Sequence, residues 1–244
     1  MAYTEQSFLR KIKPMVIKDM QESKILASLT AAQAFIESNK GNSGLTVQCN
    51  NLFGIKGSYN GQSGTFWTTE YYNGVKTRVR AAFKKYPSWQ ESIDDHSAMF
   101  NRMARYKNLR GLTDYQKACV YVKQDGYATS PTYTNTLFTT INRLGLYAWD
   151  AEALGKPVPV HAPAASKEVQ KAISLPTLKK GMRKNDYVLH WQKFLNLNGY
   201  FCGLEDGKFG KNTEEAVKAF QLSKGLTADG IIGPKTWRSI GLTA

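Results

Sequence analysis

Two carboxylates stand where acid–base chemistry could use them. Glu37 closes the run LASLTAAQAFIES, whose other residues are mostly apolar or small. A carboxyl at the end of a buried helix loses solvent, which disfavours its charged form and raises its pKa. A general acid needs that state. The same position also suits an ordinary helix-terminal glutamate. Glu70 lies in FWTTEYY (Phe66 to Tyr72), just before Asn73-Gly74 and the run VKTRVRAAF. Asn-Gly between two such runs predicts a β-hairpin, because both residues tolerate positive φ. Strand alternation puts Phe66, Thr68, Glu70 and Tyr72 on one face. A hairpin folded over a helical lobe makes a cleft, and an acid on its rim can face an acid on the lobe. Carboxyls flanking a sugar–sugar bond are the usual means of cleaving it. The alternative for Glu70 is a solvated strand residue paired with Lys76 or Arg78.

Other chemistries find little support. The three histidines, His96, His161 and His190, are scattered, whereas zinc hydrolases gather two or more with an acid. Cys49, Cys119 and Cys202 form no Cys-x-x-Cys pair and read as free thiols, with Cys119 packed between Ala118 and Val120. A Gly-x-Ser-x-Gly elbow and a phosphate loop are both absent from the sequence. No metal and no cofactor is expected. The Asp94-Asp95-His96 cluster reads as structural.

The net charge of +14 is spread evenly, with 19 Lys/Arg against 11 Asp/Glu up to Asp150. Such a field favours a polyanionic partner. No Lys/Arg run supports nucleic acid, so a bacterial wall with peptide carboxylates and teichoic phosphates fits better. The start MAYTEQSFLRKIKP has no apolar core of a secretion signal, and no run of 18 apolar residues occurs. Synthesis in the cytoplasm and no membrane insertion are expected, with a separate agent releasing the protein to any wall it acts on.

The elements that must position Glu37 and Glu70 are mainly helical. Helices are predicted over about Thr4–Met20 and Ser23–Ser38. Capping boxes at Ser88/Glu91 and Thr113/Gln116 start helices reaching about Arg105 and Gln124. Ser130-Pro131 starts a last one that stops at Gly145. The fold class is therefore α+β, a helical domain interrupted by a hairpin. Pro157, Pro159 and Pro163 mark a linker over about 151–174, separating a domain of residues 1–150 from one of residues 175–244. The second domain carries an echo, DGKFGKNT (Asp206 to Thr213) and DGIIGPKT (Asp229 to Thr236). Each turn feeds a helix, one capped by Asn212 with Glu215 and one started by Pro234. With a helix over about Asn185–Asn198, three short helices surround one small core.

At this point a family resemblance emerges. AQAFIESNKGNSGLTVQCNNLFGIKG (Ala32 to Gly57), TTEYYNG (Thr68 to Gly74), FKKYPSWQESIDDH (Phe83 to His96), Arg105-Tyr106 and GYATSPTY (Gly126 to Tyr133) follow one another in order. Together they resemble glycoside hydrolase family 73, bacterial and phage N-acetylglucosaminidases. The resemblance covers about residues 10 to 147. It implies a lysozyme-like domain, a cleft between the α-lobe and the hairpin, Glu37 as catalytic acid and Glu70 as second carboxylate. Tyr127 matches the family's active-site tyrosine. Tyr133, Tyr106, Asn51 and Phe53 are implied as substrate-side or cleft-floor residues. One departure is Ser38-Asn39-Lys40-Gly41, where family members often carry Gly-Trp after Glu-Ser. Residues 177 to 240 resemble the peptidoglycan-binding type 1 module.

The resemblance implies an endo-β-N-acetylglucosaminidase acting on peptidoglycan glycan strands; a monomer is expected, and the missing secretion signal together with the wall-binding module suggests a phage endolysin released through a holin. Glu70 would either activate water or orient the 2-acetamido group of the sugar. A muramidase, a lytic transglycosylase and a non-catalytic wall-binding protein are the alternatives.

Overall fold

The computed structural model describes residues 2–72, 75–160 and 162–242, without the side chains of 69–72, 75, 76 and 168. His161 and the Asn73-Gly74 turn therefore lie outside the described residues. The described chain forms two compact units, residues 1–118 with 144–163, and residues 119–143 with 164–244. The sequence suggests domains of residues 1–150 and 175–244 joined by a linker over 151–174. In the structure residues 119–143 group with the second unit instead, where the Asn135 amide donates to the Ile173 carbonyl at 2.6 Å.

In the first unit, α1 (Glu5–Ser23) buries Phe8, Ile12, Val16, Asp19 and Met20 along one stripe. Thr4 caps it through a reciprocal box with Ser7. Lys24, in the left-handed region at φ 63°, ends it. Then α2 (Ala27–Glu37) runs through the core, with every residue from Ala27 to Ala34 buried. It starts four residues after the predicted position. The reason is that Lys24, in the left-handed region, and the non-helical Leu26 separate α1 from α2, and Leu26 offers no side-chain cap. A short helix, α3 (Gly44–Cys49), follows a tight turn and has no forerunner in the sequence reading.

The predicted hairpin forms as β1 (Ser63–Tyr72) and β2 (Val75–Lys84), antiparallel, with Trp67 opposite Arg80 and Glu70 opposite Thr77. Gly64 lets β1 approach α3, since a Cβ there would sit 2.5 Å from the Cys49 sulfur. Next, α4 (Trp89–Arg102) starts at Ser88 as predicted, with the Ser88 hydroxyl accepting from Gln90 N–H. A 3₁₀ turn (Ala104–Leu109) leads towards α5 (Tyr115–Gln124). Here the cap is Asp114 and not Thr113, because the Asp114 carboxylate accepts from the N–H groups of Gln116 and Lys117. The helix α6 (Tyr133–Leu144) begins just after the Ser130-Pro131 turn. A further helix, α7 (Tyr147–Ala153), runs into the segment expected to be linker.

The second unit holds α8 (Lys167–Ile173), capped by Ser166, again within the expected linker. The irregular stretch is thus shorter than the proline spacing suggests. Helices α9 (Asp186–Leu197), α10 (Lys211–Ser223) and α11 (Pro234–Arg238) enclose Trp191, Leu195, Phe209, Val217, Phe220, Ile232 and Trp237. Asn185 caps α9, and Pro234 opens α11 as expected. No side chain caps α10, so Asn212 and Glu215 do not play the predicted part.

The sequence echo has a physical basis in two buried glutamines. Gln192 donates to Asp206, the Lys208 carbonyl and Thr213, and accepts from Gly207 N–H. Gln221 repeats every partner one helix later, with Asp229, the Ile231 carbonyl, Thr236 and Gly230. Each amide thus holds a Gly-rich turn against the helix before it. Removing either leaves buried turn groups without partners, at about 1–3 kcal/mol. Gln192→Ala and Gln221→Ala are each expected to lower the melting transition of the second unit by a similar amount. Thermal unfolding that left either variant unchanged would show that the echo is only a sequence pattern.

Candidate active site

Glu37 is the last residue of α2, and it is exposed. The helix leaves the core after Ala34, with Phe35 and Ile36 half-buried, so the desolvated carboxyl expected from the apolar run is not found. The helix end itself is firmly held. The buried Ser38 hydroxyl donates to the Ala34 carbonyl at 2.5 Å and accepts from Gly41 N–H at 2.7 Å. Asn39, Lys40 and Gly41 all adopt positive φ, wrapping the chain tightly behind Glu37. Gly41 is required there, because a Cβ would meet the Trp89 ring at 2.7 Å.

The other end of α2 depends on a residue that the sequence reading treated only as a domain edge. Asp150, on α7, accepts from Ser28 N–H at 2.8 Å and from the Ser28 hydroxyl at 2.6 Å. It supplies the cap that Leu26 lacks, at the end of the helix where a negative charge is favoured. Burial lifts the Asp150 carboxyl to about 6, against the lowering effect of the Ser28 hydrogen bonds. Asp19 on α1 is the other buried acid. It accepts from the Ser97 hydroxyl of α4 at 2.6 Å, and burial lifts it to about 7. Asp19 had a signal in the sequence, since it falls on the helical stripe of Phe8, Ile12 and Val16. Asp150 had none, because its partner is 122 residues away.

Glu70 lies on β1 opposite Thr77, close to the hairpin tip. Its side chain lies outside the described residues. The root of the hairpin, by contrast, is fully specified by the Asn50-Asn51 pair. Asn50 ends α3 in the left-handed region, and its amide donates to the carbonyls of Tyr86 and Pro87. Asn51 is buried. Its amide donates to the carbonyls of Ile55 and Lys84, and its oxygen accepts from Ile55 N–H. Asp95 on α4 takes Lys84 at 2.7 Å and the Tyr86 hydroxyl at 2.6 Å, pinning the exit of β2.

Phe53 stacks on His96 at 3.8 Å, His96 meets Phe100 edge-on, and Phe100 meets Tyr106 edge-on. His96 is fully buried, and desolvation lowers its pKa to about 3, so it is neutral at ordinary pH. Asn51, Phe53 and Tyr106 are at most 7 % exposed. They brace the unit from inside. In the second unit, Tyr127 follows Gly126 at the end of α5, its N–H donating to the Val122 carbonyl. It is half-buried and stacks with the buried Tyr133 at 5.8 Å. Among the described residues no group of three His, Cys, Asp or Glu could hold a metal ion. All three cysteines are buried free thiols.

The glucosaminidase family, described as mannosyl-glycoprotein endo-beta-N-acetylglucosaminidase, matches residues 13–146. The chain belongs to that family. The peptidoglycan binding domain family matches residues 184–240, which contain both buried glutamines. Among relatives, the exo-glucosaminidase LytG of Bacillus subtilis is 35 % identical over 159 residues, covering 63 % of this chain and 56 % of LytG. The catalytic domain of the autolysin Auto from Listeria monocytogenes is similar in structure, with 34 % identity and a TM-score of 0.56. That match covers 61 % of this chain and 90 % of the autolysin domain. The glycoside hydrolase domain of FlgJ from Salmonella typhimurium, C-terminally truncated, gives 28 % identity and a TM-score of 0.50 over 58 % of this chain and 98 % of that domain. The chain spans about half the length of LytG and less of the autolysin of Enterococcus faecalis, at 19 %. The glucosaminidase fold here is lysozyme-like, mainly helical with one two-stranded sheet among the described residues.

Asp19 and Asp150 give the glucosaminidase unit a definite pH response. Both carboxyls hold protons more tightly when folded than at their ordinary value of 3.8. Folding therefore takes up protons between about pH 4 and 7, and stability falls as the pH rises through that window. Denaturant unfolding at pH 5 and pH 8 should show the loss, on the order of 3 kcal/mol at most for Asp19. In Asp19→Asn that loss should shrink, and an unchanged pH slope would contradict the assignment.

Proposed function

We propose that the chain is a peptidoglycan hydrolase of the endo-β-N-acetylglucosaminidase type. It hydrolyses the β-1,4 bond that follows N-acetylglucosamine and precedes N-acetylmuramic acid. Glu37 donates the proton to the leaving oxygen. Glu70, on the hairpin, serves the opposite face of the sugar, where it either activates water or orients the 2-acetamido group. Tyr127 supports the reacting sugar, with Tyr133 stacked behind it. Asn51, Phe53 and Tyr106 act by holding the frame. The second unit's peptidoglycan-binding module retains the polymer and raises its local concentration.

One observation carries this reading. Glu37 emerges into solvent from a helix that is buried over its first eight residues and fastened at both ends. Family membership and the peptidoglycan hydrolases among the relatives support the same substrate. The chain acts as a monomer and takes no nucleic acid as partner. No described helix is long and apolar enough to cross a membrane. A phage endolysin released through a holin is the biological setting we favour, supported by the peptidoglycan-binding module.

The test is clearance of purified walls by Glu37→Gln and Glu70→Gln, each checked for native circular dichroism. Loss of a general acid costs about 10²–10⁴ in rate. Glu37→Gln should fall by that much or more, and Glu70→Gln should be impaired while Glu37 remains. Parental clearance by Glu37→Gln would show that Glu37 is not the acid.

A further inference from the structure

The two faces of the hairpin differ in a way that catalysis does not explain. On one face, Phe66, Thr68, Thr77, Val79 and Ala81 are half-buried. On the other, Thr65, Trp67, Arg78, Arg80 and Ala82 are all exposed, with Trp67 at 59 %. Alternation puts position 70 on the first face, so the second faces away from the side assigned to Glu70. The Arg78 guanidinium lies 4.8 Å from the Trp67 ring centroid, and Arg80 stands opposite Trp67 in the register. Arg78 and Arg80 are two residues apart on one strand, about 7 Å. Lys84 is further along the same face but is committed to Asp95 at 2.7 Å. The described residues of this outer face include no acid.

An exposed indole braced by a guanidinium, beside a second guanidinium, suits a chain that alternates apolar carbon surface with anions. Arginine forks bind phosphate oxygens in a planar, two-point manner, and the ring offers a face for sugar or polyol carbons. The glycan being cut is engaged on the other face, so an anion met here belongs to a different polymer or a different strand. Phosphodiester linkages recur along a polymer backbone and keep their charge at all ordinary pH values, which suits two arginines in series and a chain of net charge +14. We propose that the outer face of the β1–β2 hairpin, through Trp67, Arg78 and Arg80, binds a phosphodiester-linked anionic polymer of the cell wall. The proposal rests on the wall-hydrolase reading and adds a second wall ligand to it.

The test uses the full chain carrying Glu37→Gln, so that walls stay intact during sedimentation. Its binding is compared with that of the same chain carrying Arg78→Gln and Arg80→Gln, and with Trp67→Ala. Two wall preparations are used, one with its phosphodiester polymers and one stripped of them by hydrofluoric acid. On unstripped walls the arginine variant should bind about tenfold more weakly, or ~1.4 kcal/mol. Trp67→Ala should weaken binding in the same direction. On stripped walls the variants and their parent should bind alike. Soluble poly(glycerol phosphate) should compete with the parent on unstripped walls, and added salt should weaken the parent more than the arginine variant.

Equal binding of parent and arginine variant to unstripped walls would overturn the proposal. So would an equal loss on both preparations, which would assign the face to peptidoglycan itself. Retention on double-stranded DNA without preference for unstripped walls would also overturn it. With Glu37 restored, the Arg78/Arg80 variant should release sugar reducing ends from stripped walls at the parental rate. If the parent releases none, it is the hydrolase reading that fails.

Discussion

The first turn of α2 has no cap of its own, and the structure depends on the carboxylate that provides one. Asp150 meets Ser28 through two hydrogen bonds in a buried setting. The opening N–H groups of any helix lack partners within the helix, and leaving them buried and unmet costs about 1–3 kcal/mol each. Asp150 offsets that cost and sits where the helix dipole favours a negative charge. The arrangement has its own cost, since burial raises the carboxyl to about 6. In exchange, α7 and α2 are locked together. With its first turn fixed inside, α2 can send its last residue out to solvent.

The same economy governs the hairpin. Its tip is far from the core, so its direction must be set at its root. Asn50 and Asn51 spend their amides on four backbone carbonyls of the adjoining loop and strand. Asp95 anchors Lys84 and Tyr86 at the other side of that root. These residues sit in the most recognisable part of the sequence, yet their work is to aim other residues. The neutral His96, packed between Phe53 and Phe100, has the same character.

Much of this was legible in the sequence wherever the determining residues are neighbours. The Asn73-Gly74 turn identified the hairpin, Ser88 marked the start of α4, and Pro234 marked that of α11. The repeated Asp-Gly turns anticipated the paired networks of Gln192 and Gln221. Elements that rely on distant partners were missed. The start of α2 waits on Asp150, while α7 and α8 occupy a stretch that its prolines made look extended. The desolvation argument for Glu37 is not supported by its burial, since the residue is exposed. The apolar run marks the buried body of α2, but the helix turns outward before its end. Burial raises Asp19 and Asp150, and these two acids hold helices together.

The central claim is that Glu37 delivers its proton to the oxygen on the reducing side of N-acetylglucosamine. Mass spectrometry of the fragments released from purified walls tests this most directly. The account predicts new chain ends that carry reducing N-acetylglucosamine. Fragments ending instead in reducing or anhydro N-acetylmuramic acid would contradict it.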